Sequence, residues 1–291
     1  MNTNLMSGQS AARKVKAVLF QAMCIGAIVF SLGALAVLLS DVLISGLSSL
    51  NWHFLTNFAS RFPEKAGIKA AIYGTVWMMT LTGLFCVPVG VATAIYLEEY
   101  AGDSRLASII KLNIANLAGV PSIVYGFLGL AIFVRLMSFD RSVLAGALTM
   151  ALLVMPIVIV SAQEAIRAVP QSLREGSYAL GATRWQTTRR VVLPAAVSGI
   201  ATGVILALSR AIGETAPLIM IGALTFIAFV PDGPFAPFTA LPIQIFNWIS
   251  RPQDGFHDIA AAGVLVLLFF IFIMNAAASI LRHRYDRRWH D

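Results

Sequence analysis

The chain has 291 residues, of which 58% are hydrophobic and only 12% charged, against about 25% charged in an ordinary soluble domain. So much apolar mass with so little polar cover excludes a disordered chain, a coiled coil and almost any water-soluble fold, and points to a polytopic membrane protein. The formal net charge of +7 does not imply nucleic acid, because the basic residues mostly flank apolar runs and read as topology signals.

About 20 apolar residues cross a hydrocarbon layer as a helix. A tail over 1–16 precedes the first such run, 17–40. Lys14, Lys16 and the Ala34-Leu35-Ala36 triplet imitate a cleavable leader, but the run outlasts a leader's apolar core, so a retained helix is expected. Asp41 ends that run and is expected at the membrane interface. Further runs cover 70–97, with Pro88 inside, then 112–134 and 142–163. A fifth, 194–222, runs through Arg210 and Glu214, and a sixth covers 259–281. Lipid offers backbone groups no partner, so these runs are expected to be helices. The expected fold class is all-α with six transmembrane helices.

Even spans put both termini on one side. Fourteen Lys and Arg flank the spans on the side of the termini and six on the other. Positive charge stays inside, so both termini are expected in the cytoplasm. The outer segment 232–258 is rich in proline and aromatics and is expected to be a partly buried periplasmic loop. The tail 282–291, with His283, His290 and four arginines, is expected to be drawn to anionic membrane lipid.

Several chemistries find no support. Cys24 and Cys86 sit inside apolar runs without metal or redox spacing, and read as small hydrophobes. His53, His257, His283 and His290 lie in loops or tails and form no catalytic spacing. No GxxxxGK[ST] stretch occurs, so the chain cannot cradle ATP phosphates itself.

The connection 170–194 carries the most local signal. Ser172 stands three before Glu175 and Thr183 three before Gln186, the spacing of two capping boxes. Gly181 falls between them, where a helix end wants positive φ. Pro194 suits the first turn of the next helix. The stretch is expected to be an ordered helix–turn–helix hairpin.

Arg210 and Glu214, at i and i+4, are expected on one helix face of the fifth span. Arg210 would lie roughly 24 Å along that span, still within a core about 30 Å thick. Intramembrane charges either pair structurally or line a pathway. The pathway reading is anion handling, since a guanidinium fork fits a tetrahedral oxyanion. Glu214 would accept a hydrogen bond from a protonated oxyanion, which favours phosphate over sulfate. In the third span Pro121 is expected to kink the helix, while Gly119 and Gly126 permit close packing. Ser122 and Tyr125 add hydroxyls there.

The spacing of Glu175, Gly181, Val191, Leu193 and Pro194 resembles the Glu-Ala-Ala loop of ABC importer permeases, departing at Gly176, Ser177 and Val191. In that family the loop docks on the ATPase, which implies coupling roles for Glu175, Gly181, Ala182, Leu193 and Pro194. The stretch Ser-Arg-Ala-Ile-Gly-Glu-Thr-Ala-Pro217, and Gly119-Val-Pro-Ser-Ile-Val-Tyr-Gly126, are similar to the membrane subunits of the phosphate ABC importer. The segment 239–252 resembles the PstA type rather than its PstC-type sibling. The resemblance covers 70–291. It implies a type I ABC importer permease in a bacterial inner membrane, with Arg210, Glu214, Ser122, Tyr125 and Thr215 along the phosphate pathway. It further implies a sibling permease, a dimer of ATP-binding subunits and a periplasmic phosphate-binding protein. This chain would bind no cofactor, and ATP and Mg would be used by the partner. Alternatives are a permease for molybdate or phosphonate, an ion-coupled secondary transporter, or a membrane enzyme such as a lipid phosphatase.

Overall fold

A computed structural model describes residues 11–102, 104–223 and 226–287. Among the described residues every regular element is helical, apart from one isolated antiparallel bridge between Ser142 and Pro237. Five helices are long and apolar enough to cross a membrane, and a bent pair makes a sixth candidate.

Helix α1 runs Ala11–Ser49. Its 39 residues extend about 58 Å at 1.5 Å per residue, well beyond a core of about 30 Å. The helix therefore outruns the expected 17–40, and Asp41 sits within it rather than at its end. It lies along the last helix, α12 (Asp254–Arg287), where a Cβ at Gly46 would meet the backbone of Ala261 at 2.9 Å. A short α2, Trp52–Thr56, follows, with the Asn51 side chain accepting from the Phe54 N–H at 2.8 Å.

Helix α3, Lys69–Ile95, keeps Pro88 inside and passes into a π-helical turn, Tyr96–Tyr100. Helix α6, Val143–Arg167, is capped by Ser142 and forms the centre of the core. Ala147, Met150, Val158, Ala162 and Ile166 on it are all fully enclosed. Close approach to its neighbours depends on small residues. Gly90 of α3 faces Val158, while Gly199 and Gly203 of α9 (Leu193–Ala211) face Ala165 and Ser161. Without a hydrophobic force between helices in lipid, such small–xxx–small faces give the tight contact that holds spans together.

The expected third span is two helices. α4 (Arg105–Ala118) and α5 (Ser122–Gly129, extended by a π-helical segment to Leu136) meet at 101°. Pro121 is the N-cap of α5, not a kink inside one helix. At 14 residues α4 reaches about 21 Å, short of a full crossing. The fifth span is likewise interrupted. α9 stops at Ala211, and α10 (Ala216–Ile221) begins after a turn and ends at Gly222 with φ +83°. Proline at 217 has no N–H and its ring excludes a continuous helix behind it.

Part of the segment 232–258 folds back into the protein. Phe238, Thr239, Ala240 and Leu241 are buried, and α11 (Leu241–Ile249) carries the enclosed Trp248. Thr75 of α3 accepts the Leu241 N–H at 2.9 Å, satisfying a helix start deep in the fold. The side chains expected to form a basic C-terminal tail lie, apart from exposed Arg282, outside the described residues.

Candidate functional site at two helix breaks

The two interruptions face one another. Between them lies a cavity of about 200 Å³ lined by Gly119, Pro121, Ser122 and Tyr125 of the first break and by Arg210 and Glu214 of the second. Leu153 and Ile157 of α6 and Ala207 of α9 complete an apolar wall. Four of the five residues expected along a pathway thus meet in one space. Thr215 is not among the lining residues; it is the N-cap of α10, and its hydroxyl reaches the Gly213 carbonyl at 3.5 Å.

Arg210 and Glu214 do not share a helix face, because α9 ends between them. Among the described residues neither forms a salt bridge. Arg210 is exposed at the last turn of α9, and Glu214 is half-buried in the turn that follows. The guanidinium is therefore free to meet an anion. Tyr125 is buried, and its hydroxyl donates to the Leu117 carbonyl at 2.8 Å. That proton is committed to the α4–α5 corner. Ser122 lies in the first turn of α5, whose N–H groups lack intrahelical acceptors and carry the positive end of the helix dipole. An unpaired arginine, a hydroxyl and a helix start around an otherwise apolar space suit a small anion.

The second set of expected residues forms the hairpin. α7 is Gln171–Ala179, and α8 (Arg184–Thr187) joins α9 through a π-helical turn, Thr188–Val192. Gly181 has φ +80°. Its N–H bonds Tyr178 O at 2.9 Å and the Ala182 N–H bonds Ser177 O at 3.2 Å, which together make a Schellman end. The Thr183–Gln186 capping box forms in both directions. The Ser172–Glu175 box does not. Pro170 is the N-cap of α7, two residues before Ser172, so Ser172 is already within the first turn. Glu175 is exposed, Ala182, Leu193 and Pro194 are half-buried, and no atom lies near a Cβ placed on Gly181. Leu180, 90% exposed, stands with exposed Leu173, Tyr178 and Trp185 on the hairpin. Four large apolar side chains are thus exposed on one short hairpin.

A polar cluster escaped the sequence reading. Glu98, in the π-helical turn, accepts from Gln163 and Arg167 of α6 at 2.9 Å each and pairs with Lys111 of α4 at 3.0 Å. Glu99 is buried and pairs with Arg174 of α7 at 3.0 Å. The signal was two adjacent carboxylates ending an apolar run, set against a connection rich in arginine. Among the described residues no group of three His, Cys, Asp or Glu could hold a metal ion.

Comparison with known proteins accounts for this architecture. Residues 86–291 match the family of binding-protein-dependent transport system inner membrane components. A probable ABC transporter permease protein, YqgI of Bacillus subtilis, is 33% identical over 258 residues, covering 84% of this chain and 87% of that one. The phosphate transport system permease protein PstA 1 of Mycobacterium tuberculosis is 36% identical over 230 residues, covering 78% and 74%. A bacterial alginate ABC transporter, solved with a pentasaccharide-bound periplasmic protein, has a chain of the same fold, with a TM-score of 0.65 at 17% identity over 92% of this chain and 95% of that one. The broken spans, the ordered hairpin and this agreement over most of the sequence place the chain in the family of binding-protein-dependent transport system inner membrane components, as a permease subunit and not an enzyme.

Proposed function

We propose that this chain is a translocation subunit of an ATP-driven importer of inorganic phosphate. The observation that carries the reading is the cavity at the two breaks, where Arg210, without an ion-pair partner among the described residues, stands beside Glu214 and Ser122. The 36% identity to a phosphate permease supports the same substrate.

The chemistry follows from the groups present. Phosphate near neutral pH carries both negative charge and a proton. Arg210 presents a planar donor fork to the charged oxygens. Glu214 accepts from the P–OH group, a contact sulfate cannot make. Ser122 and the start of α5 add donors. Tyr125 holds the corner that places them. The apolar wall of Leu153, Ile157 and Ala207 leaves these polar groups as the cavity's only anion partners among its named lining.

Energy enters through the hairpin 170–194. ATP and Mg are used by a separate dimeric ATPase that seats against Leu173, Tyr178, Leu180 and Trp185. Both termini and the hairpin face the cytoplasm, and the segment 232–258 faces a periplasmic phosphate-binding protein. A sibling permease closes the pathway from the other side. ATP-driven closure moves the hairpin, the spans rock, and the cavity opens outward; hydrolysis returns it inward. This is alternating access of a fixed site.

Phosphate uptake by cells carrying the complete transporter tests the reading. Arg210→Gln is expected to abolish uptake while the ATPase still co-purifies, and excess sulfate is expected not to compete in the wild type. Uptake that survives Arg210→Gln, or equal competition by sulfate, overturns the assignment of the site.

A further inference from the structure

The two limbs of the hairpin grip neighbouring residues of the π-helical turn that ends the second span. Arg174 of α7 donates through Nε at 3.3 Å and Nη2 at 3.0 Å to Glu99 Oε1. Arg184, ten residues further on in α8, lies over the ring of Tyr100 with its guanidinium carbon 5.4 Å from the centroid. Arg174 also donates to the carbonyls of Val169 at 2.6 Å and Ile166 at 2.9 Å, at the C-terminal end of α6. One guanidinium thus ties three elements: its own helix, the end of α6 and the end of α3.

The pair is buried although most of α7 is exposed. The Glu99 side chain is 5% exposed and that of Arg174 13%. An ion pair so enclosed is fixed in geometry, and its guanidinium is held further by the carbonyls of Ile166 and Val169. The hairpin is joined covalently to α9 through Thr188–Val192. It has no covalent route to α3. Two further features mark the receiving end. It is a π-helical turn, a local insertion into a helix that is frequent at functional sites. The adjacent Glu98 is itself held by α4 and α6, so displacement of the turn is felt in both.

We infer that Arg174 and Glu99 are a coupling pair that transmits hairpin movement into the second span, so that both α3 and α9 respond when the ATPase closes. Arg174 is a positioning residue; it touches neither ATP nor the transported anion. The inference rests on the transport reading above, but not on phosphate being the cargo. Here the link is a single guanidinium, with Arg184 on Tyr100 as a weaker companion.

The test uses the complete importer in proteoliposomes, with its binding protein and inorganic phosphate, measuring ATP hydrolysis and uptake together. Arg174→Ala is expected to leave an assembled transporter that still hydrolyses ATP. Its hydrolysis no longer rises on adding the phosphate-loaded binding protein, and uptake per ATP falls about tenfold. Glu99→Gln keeps the volume and an acceptor but removes the charge, so it is expected to show the same loss in milder form if Arg174→Ala does not accumulate. The exchange Arg174→Glu with Glu99→Arg is expected to recover part of the coupling lost in Arg174→Glu alone. Wild-type uptake per ATP in both Arg174→Ala and Glu99→Gln overturns the inference. So does a loss of uptake that tracks loss of ATPase from the complex. Should the wild type transport no phosphate, the cargo assignment fails instead, and the dependence of ATP hydrolysis on the binding protein still reads the pair.

Discussion

Tyr125 donates its hydroxyl to the carbonyl of Leu117 at 2.8 Å, and this one bond spans the 101° corner between α4 and α5. The same carbonyl also accepts the Val120 N–H at 3.1 Å, so the hydroxyl adds a second bond where α4 ends. Tyr125→Phe removes the donor and leaves the ring packed, so it is expected to cost about 1 kcal/mol of stability, the ordinary worth of a hydrogen bond. Because the proton already has an acceptor, uptake per assembled transporter is expected to stay near wild type. Thermal melting of the purified complex alongside an uptake assay checks both halves. A variant that melts normally but carries no phosphate would place the hydroxyl on the anion instead.

Gly181 separates conformation from space. Its φ of +80° is the left-handed region, and a Cβ there meets no atom within 4 Å. Gly181→Ala therefore pays only the backbone term, about 1–2 kcal/mol. Gly181→Asn is expected to cost less, since asparagine visits that region more readily. If the Schellman end matters to docking, ATPase retained on purified membranes follows the order Gly, Asn, Ala. Equal loss in both variants would mean that the partner excludes any side chain, and that the turn geometry is incidental.

How legible was this in the sequence? The hairpin was largely so, because its signals are local: Gly181 and the Thr183–Gln186 box act within one or two turns. Ser172 misled for an equally local reason, since Pro170 starts the helix earlier. The broken spans were harder. Hydropathy counts apolar residues and carries no angle, so 112–134 read as one kinked span and 194–222 as one continuous span. Gly119 with Pro121, and Gly213 with Pro217, marked the corners, and the glycine–proline spacing outweighed the apolar composition. Glu99 and Arg174 are 75 positions apart, and no periodicity joins them. Only the fold brings them together, with Arg174 bonded to the Ile166 and Val169 carbonyls at the end of α6. Four of the five expected pathway residues still converged on one cavity, because each stood at a break and the breaks are adjacent.

The absence of an Arg210–Glu214 ion pair makes a sharp prediction about stability and transport. Were the two locked together in a buried helix, removing either would strand a charge and cost about 3–5 kcal/mol. α9 ends at Ala211 instead, and Arg210 is exposed to the cavity. Glu214→Gln and Arg210→Gln are therefore each expected to shift stability by about 0.5 kcal/mol or less, as substitutions free of buried partners do. Their stability effects are expected to add in the double variant within about 0.5 kcal/mol. Uptake is expected to behave otherwise. Once Arg210→Gln has removed the anion's main partner, Glu214→Gln has little left to change, so the transport effects do not add. A double-mutant cycle run on melting and on uptake in the same preparations distinguishes the cases. Strong coupling in melting would show that the pair holds the helices together, and would remove Arg210 from the anion's path.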